Sequence, residues 1–231
     1  MRKLIAAFVT ILFSGVALAQ NTGQHARPYD TAVAHFESHG ETSLEALLRL
    51  GVESKVALGI VRIDNHLCRN AEVVAVDNQP VLYTVNSLLK SISGYQAVVK
   101  DGVIIIEPGA TPPNSAQILN LVIERYVAPP GSTMQELGAY LWQSVYYSFH
   151  PTEGTMMEIL SGTNSVPIPP FEMHNATVEQ ILNRIVKEGG GGVWVLPPIP
   201  DNYRDKRDLK VADVSSYVDD KEKIRKTPCT P

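Results

Sequence analysis

Residues 76–99 read VDNQPVLYTVNSLLKSISGYQAVV, and residues 173–196 read MHNATVEQILNRIVKEGGGGVWVL. The two stretches align without a gap at a spacing of 97 residues, with six identities in 24 positions. Their apolar and turn positions coincide as well, which indicates one supersecondary unit that the chain uses twice. The identical pairs are Asn78 and Asn175, Val81 and Val178, Asn86 and Asn183, Lys90 and Lys187, Gly94 and Gly191, and Val98 and Val195.

Each copy also carries a helix upstream of the repeated stretch. Three threonines are followed three residues later by Glu or Gln and then by an apolar run, which is the capping-box signature of a helix start. These pairs are Thr42 with Glu45, Thr133 with Glu136, and Thr177 with Gln180. A fourth helix is expected from Pro80, because its missing N–H costs nothing in a first turn. Apolar residues recur at steps of three and four in all four segments, so each helix should bury one stripe.

The runs between these helices predict strands. They are residues 57–63, 72–76, 95–99 and 103–107 in the first half, and 117–127, 156–160, 167–173 and 193–196 in the second. The order strand, helix, strand, strand, helix, strand, used about twice, predicts an α+β fold. We expect two small two-layer sandwiches, each with two helices packed on a small mixed sheet.

The chain divides into six predicted segments. They are a signal peptide at 1–19, a lead-in with a possible first strand at 20–41, domain 1 at 42–108, a linker at 109–116, domain 2 at 117–198 and a charged, mobile tail at 199–231. The first segment has Arg2 and Lys3, an apolar run to Phe13 and an ending in Ala19, which is typical of a cleavable export signal. We therefore expect a periplasmic or secreted protein with no stable membrane insertion. A membrane anchor is the alternative, but the run is shorter than the roughly 20 apolar residues that cross a bilayer.

Charge disfavours nucleic acid as a partner. The chain has 20 Lys and Arg against 24 Asp and Glu, and removal of Arg2 and Lys3 leaves 18 against 24, a net charge of −6. An acidic protein repels the phosphate backbone.

The two cysteines, Cys68 and Cys229, could form a disulfide in an oxidising compartment, and a semi-buried Cys68 with a free tail thiol is the alternative.

Residues 42–108 resemble a known family. The stretches TSLEALLRLGVESKVALGIVRID and VVAVDNQPVLYTVNSLLKSISGYQAVVKDGVIIIEP resemble the STN domain, the short domain at the N-terminus of secretins and of signal-transducing TonB-dependent receptors. Residues 117–198 are a looser copy. The resemblance implies a helix, two strands, a second helix and a closing hairpin. It also implies a periplasmic protein-interaction module, although the chain has neither a secretin core nor an outer-membrane barrel sequence.

No catalytic, cofactor-binding or metal-binding motif is recognised. His35 and His39 are four residues apart, but a metalloprotease needs the acid directly after the first histidine, and here it is Glu37. These histidines are therefore expected at the surface. His66 and Cys68 could form a reactive pair, although a structural cysteine is the preferred interpretation. The glycine run at 189–192 follows a helix, so it predicts a turn and not a phosphate cradle.

Two candidate interfaces remain. The first is an aromatic cluster on or after the third helix, in which Tyr and Trp could supply contact area, although Trp142 and Tyr146 share the helix side that usually faces a core. The cluster comprises Tyr140, Trp142, Tyr146, Tyr147 and Phe149. The second is the strand containing Val103 and Ile105, whose edge could accept a strand from another protein.

The sequence thus predicts a non-enzymatic adaptor or accessory subunit of the bacterial cell envelope, of the secretin or receptor-signalling type. Its expected partner is an envelope protein or a second copy of the chain. One alternative is a small exported enzyme whose site assembles from His66, Cys68, Glu124 and His150. Another is a binder of peptidoglycan fragments or other small molecules between the two domains.

Overall fold

The computed structural model describes residues 28–62, 65–111, 113–149, 166–196 and 216–218, together with Cys229. Both helices and strands are present, so the predicted α+β class is confirmed. The helices are α1 (Ser43–Ser54), α2 (Val81–Leu89), α3 (Pro113–Leu119), α4 (Met134–Phe149) and α5 (Val178–Glu188). The strands are β1 (Ala32–Glu37), β2 (Ala57–Val61), β3 (Ala75–Pro80), β4 (Tyr95–Lys100), β5 (Val103–Pro108), β6 (Val122–Ala128), β7 (Phe171–Thr177), β8 (Gly192–Leu196) and β9 (Ser216–Val218).

The helix starts lie where local sequence places them. In α1 the Thr42 N–H donates to Glu45 Oε2 at 2.8 Å, and the Glu45 N–H donates to Thr42 Oγ1 at 3.2 Å. The same reciprocal pair of bonds opens α4 at Thr133 and α5 at Thr177. Each box satisfies two backbone donors that have no partner within the helix. Pro80 lies at the N-cap of α2, directly before its first residue.

The repeat is visible in the backbone. Strand β1 pairs antiparallel with β3, and β6 pairs antiparallel with β7. Asn78 in β3 and Asn175 in β7 have φ angles of 49° and 48°, which is the left-handed region. Asn adopts this region more readily than other residues with a β-carbon. The identity of Asn78 and Asn175 therefore reflects the same local twist in both two-stranded sheets.

The two halves share one central sheet, in which the strands follow the order β4-β5-β2-β8-β9. Strand β2 of the first half pairs in parallel with β8 of the second half. The prediction of two sandwiches, each with its own sheet, is therefore wrong. The physical reason lies in β2, where all five residues of Ala57–Val61 are buried. A strand with apolar groups on both faces is stable only where both faces are covered.

Two hydrophobic cores lie on opposite faces of this sheet. Helices α1 and α2 with the β1–β3 pair form the first core, into which β2 directs Leu58 and Ile60. Helices α4 and α5 with the β6–β7 pair form the second core, into which β2 directs Ala57 and Val61. The sheet is thus the middle layer, and each copy of the repeat covers one of its faces.

Several predicted boundaries change. Helix α3 begins at Pro113, inside the predicted linker, and replaces the start of the strand predicted at 117–127. Strands β3 and β7 begin three and four residues later than predicted, at Ala75 and Phe171. Residues Ser216–Val218 of the predicted mobile tail form β9. The signal peptide at 1–19 and the predicted strand at 156–160 lie outside the described residues.

Candidate interaction surfaces

Helix α4 separates the aromatic cluster into core and surface. Trp142 is only 3% exposed and packs in the second core, so its predicted place at an interface is wrong. Tyr140 is 38% exposed. Tyr146, Tyr147 and Phe149 are half-buried, and the rings of Tyr146 and Tyr147 are 6.1 Å apart in an edge-to-face arrangement. Tyr140 is therefore the member of the cluster that α4 presents most openly to a partner.

Strand β5 is not an edge. It pairs with β4 on one side and with β2 on the other, and both Val103 and Ile105 are fully buried. The prediction that these residues form an exposed edge is wrong because β2, which is distant in sequence, occupies the second side of the hairpin. Among the described strands, β4 ends the central sheet instead.

Strand β6 carries two exposed valines that the sequence analysis did not single out. Val122 is 54% exposed and Val127 is 43% exposed, whereas Tyr126 between them is buried. The Tyr126 hydroxyl donates to the Leu137 carbonyl oxygen at 2.7 Å, which ties β6 to α4. Burial raises the pKa of Tyr126, and the neighbouring Tyr140 raises it further. The sequence pattern did not reveal these positions, because the two consecutive exposed residues Glu124 and Arg125 interrupt the alternation of β6 and leave the face of each valine undefined.

Titratable groups on the two outer sheets form cross-strand pairs. On β6–β7, Glu172 Oε1 accepts from Arg125 Nε at 2.7 Å and lies 3.0 Å from His174 Nε2. The hydrogen bond from Arg125 lowers the pKa of Glu172. On β1–β3, His35 Nδ1 lies 2.7 Å from Asp77 Oδ1. Pairs of opposite charge on facing strands stabilise a sheet, so these groups have a structural role in the described geometry.

The His35–Asp77 pair yields a pH prediction. The hydrogen bond to Asp77 and its charge raise the pKa of His35. The pair therefore contributes stability below the ordinary histidine pKa of about 6.5, and the contribution is lost as pH rises through the raised value. We expect Asp77→Asn to lower the pKa of His35 in an NMR titration of its ring protons. Asp101→Asn, which removes a carboxylate elsewhere, is the control and should leave that titration unchanged. An unaltered His35 titration in Asp77→Asn would contradict the assignment.

Cys68 is bonded to Cys229, with a Cα–Cα distance of 5.3 Å. The bonded sulfur of Cys68 lies 3.3 Å from an Arg62 guanidinium nitrogen, and Cys68 ends a single 3₁₀ turn that begins at His66. The disulfide joins the C-terminal segment to the first half of the chain. A sulfur in a disulfide is not a thiolate nucleophile, so the His66 and Cys68 pair does not form a reactive site in this state.

The residues of the enzyme alternative do not converge in the described structure. Cys68 packs against the first core, whereas Glu124 lies on β6 in the outer sheet that covers the second core. His150 lies outside the described residues. His35 lies on a strand and not on a helix, so the four-residue spacing to His39 does not place the two rings on one helical face. Within the described ranges, no group of three or more His, Cys, Asp or Glu side chains could hold a metal ion.

One surface groove lies at the boundary between the halves. Its volume is about 450 Å³, and its lining includes Asp101 from the β4–β5 turn together with His174, Arg184 and Lys187 from the second half. Lys187 Nζ donates to the Asp101 carbonyl oxygen at 2.7 Å, and Arg184 forms an ion pair with Glu188 at 2.7 Å. Both cationic side chains thus already bind within the chain, and the groove acts as a polar seam between the hairpin and α5.

Comparison of the chain with protein-family models, with curated proteins and with solved structures finds no match. Over the described ranges, every helix is too short or too polar to cross a lipid bilayer.

Proposed function

We propose that this chain is an exported, non-enzymatic protein-interaction module of the bacterial cell envelope, of the STN type. The observation that carries the proposal is the order of elements after residue 42. Helix α1 is followed by β2, β3, α2 and the β4–β5 hairpin, which is the order that the resemblance to STN domains implies. In the second half, β6, α4, β7, α5 and β8 correspond to β1, α1, β3, α2 and β4, and no described strand corresponds to β2, so this partial repetition supports a duplicated module.

The distribution of apolar side chains supports an interaction role. The two cores occupy the two faces of the central sheet, yet Tyr140 of α4 and Val122 and Val127 of β6 remain exposed on the second half. Helix α4 also packs against β6, so these residues lie on two neighbouring elements. Exposed aromatic and aliphatic side chains on rigid elements supply contact area at a small entropic cost.

Affinity capture from an envelope extract tests the proposal. The bait is residues 20–231 with the disulfide intact, and Tyr140→Glu is compared with Tyr83→Glu, which charges a tyrosine on α2 of the first half that is 50% exposed. We expect the wild type and Tyr83→Glu to retain the same envelope protein, and Tyr140→Glu to reduce its recovery about tenfold, as expected when about 1.4 kcal/mol of binding free energy is lost.

Two outcomes would contradict the proposal. The first is a wild-type bait that retains no envelope protein above the level of a bare matrix. The second is full-length chain that keeps its first nineteen residues and stays in the cytoplasm, since the module requires export. If Tyr140→Glu and Tyr83→Glu reduce the recovery of the envelope protein equally, the interaction surface does not lie on α4.

A further inference from the structure

The two sulfurs of the disulfide have different electrostatic surroundings. The Cys68 sulfur lies 3.3 Å from a guanidinium nitrogen of Arg62, whereas the Cys229 sulfur lies 3.9 Å from the uncharged hydroxyl of Thr42. Both cysteines are half-buried and pack against the first core, so exposure alone does not distinguish them. The neighbouring charge is therefore the feature that can make the two sulfurs react unequally.

Arg62 is held beside Cys68 by the central sheet. It directly follows β2, and its backbone N–H donates to the Leu196 carbonyl oxygen at 2.8 Å, which continues the pairing of β2 with β8. The residue is only 5% exposed, and its guanidinium also donates to Asn65 Oδ1 at 3.3 Å. A guanidinium is always charged, and its attraction for an anion is stronger away from water. The folded sheet thus presents a fixed positive charge to the Cys68 sulfur.

The start of α1, beside Cys229, does not supply an equivalent charge. A free helix start can stabilise a thiolate. Here the capping box between Thr42 and Glu45 uses the N–H groups of both residues. The Ser43 N–H donates to the Arg69 carbonyl oxygen at 2.9 Å. The Thr42 hydroxyl donates to the Glu45 carboxylate at 2.8 Å, so its hydrogen is directed away from Cys229. A carboxylate has therefore already neutralised the helix end that Cys229 meets.

We propose that the Cys68–Cys229 bond is a directional site of thiol–disulfide exchange, at which an external thiolate attacks Cys229 and Cys68 leaves as a thiolate bound to Arg62. The attacking sulfur forms a bond to the Cys229 sulfur, the original S–S bond breaks, and its electron pair stays on Cys68. A second thiolate then attacks the mixed disulfide and releases Cys229, which takes a proton from water. Two thiols are oxidised to a disulfide, and the chain gains two electrons.

The co-reactant is a small thiol or a dithiol protein of the oxidoreductase class. A thiolate that is stabilised by a cation is the better leaving group, which favours the path through Cys229. Formation of the bond follows the same path in reverse, so the Cys68 thiolate attacks a mixed disulfide at Cys229. Because the pairing of β2 with β8 places Arg62, this thiolate is stabilised only after the two halves share their sheet. The inference goes beyond the proposed interaction function and does not depend on it.

The direction of attack can be measured on oxidised wild-type protein. The folded protein is treated with a limiting amount of reduced glutathione, the reaction is stopped with N-ethylmaleimide, and the modified peptides are identified by mass spectrometry. We expect glutathione on Cys229 and maleimide on Cys68, about tenfold more often than the reverse. An opposite charge within contact distance shifts a thiol by roughly one to three pKa units, and about half of this shift enters the exchange rate.

Arginine variants test the positioning role of Arg62. Arg62→Gln should slow reduction of the folded protein by dithiothreitol about tenfold, whereas Arg69→Gln, at the exposed neighbour of Cys68, should react at about the wild-type rate. In concentrated urea all three proteins should be reduced equally fast, because the contact exists only in the folded chain. In a Cys229→Ser background, Arg62→Gln should lower the ultraviolet absorbance of the Cys68 thiolate at neutral pH, and Arg69→Gln should not.

Several results would overturn the inference. Glutathione found mainly on Cys68, or equally on both cysteines, would remove the direction of attack. Equal slowing in the two arginine variants, or an effect of Arg62→Gln that persists in urea, would remove the role of Arg62. Thermal unfolding checks that each variant is folded, and if Arg62→Gln is not, the wild-type mapping alone decides. Each of these failures leaves capture of an envelope protein, and hence the proposed function, unaffected.

Discussion

Gly59→Val will lower the free energy of unfolding by about 3 kcal/mol or more, because overpacking a filled core forces neighbours out of their rotamers. Gly59 lies in the middle of β2, opposite Trp194 of β8. A β-carbon at position 59 would overlap the indole ring of Trp194, which is fully buried. The indole has little freedom to move, since its Nε1 donates to Asn183 Oδ1 of α5 at 2.9 Å.

Gly59→Ala should destabilise the protein in the same direction, with a smaller effect. This sign is opposite to the usual one, because replacing a strand glycine by alanine ordinarily reduces the entropy lost on folding. Urea denaturation monitored by tryptophan fluorescence measures both changes. Gly109→Ala is the control, because a β-carbon there would lie 4.0 Å from its nearest neighbour, the Gly94 carbonyl oxygen.

A double variant separates the overlap from other causes. In Gly59→Ala combined with Trp194→Leu, the loss should be smaller than the sum of the two single losses, because the smaller side chain leaves room for the new methyl group. Full additivity, or a Gly59→Ala variant as stable as the wild type, would show that the indole of Trp194 does not lie against β2 in solution.

Removing the disulfide will produce the second large effect. Cys68 and Cys229 are 161 residues apart in sequence, so the bond closes a very long loop in the unfolded chain. Loop-closure entropy predicts a contribution of about 5 kcal/mol for a bond of this span. We expect the variant with both Cys68→Ser and Cys229→Ser to lose this amount in urea denaturation at constant temperature, with a larger dependence on urea because its unfolded state is more expanded.

The reductant supplies the matched control for this prediction. Wild-type protein treated with a thiol reductant should unfold at the same urea concentration as the double serine variant, and the reductant should not affect that variant further. If wild-type protein unfolds at the same urea concentration with and without reductant, the two cysteines are not bonded in the native state, and the C-terminal segment is not tied to the first half.

Local signals in the sequence identified most of the helices and the repeat. The capping boxes at Thr42, Thr133 and Thr177 depend on groups three residues apart, so the sequence alone can specify them. The same holds for Asn78 and Asn175, whose left-handed backbone is a local preference. The sequence also identified Tyr140 as a candidate interface residue. It could not show that Tyr140 is exposed while Trp142 is buried, because this difference depends on which side of α4 faces the core.

Pairing across the sheet could not be predicted in this way. The buried run Ala57–Val61 indicates a strand covered on both faces, but it does not state which strands lie beside it. Strand β2 meets β5 and β8, which are about 45 and 135 residues away, and contacts at such distances depend on the total free energy of packing, not on local preference. The burial of Val103 and Ile105 follows from that pairing.

The sequence by itself determined the α+β class, the duplicated unit and the positions of four helices, because each depends on short-range hydrogen bonds and apolar spacing. Only the tertiary structure decided that both copies share one sheet, that β4 and not β5 is the last of the described strands on that side, and that Cys229 reaches Cys68. The physical reason is that a strand pairs, and a thiol forms a disulfide, with whichever group the folded chain brings close to it. The apolar pattern of a single strand is compatible with many neighbouring strands.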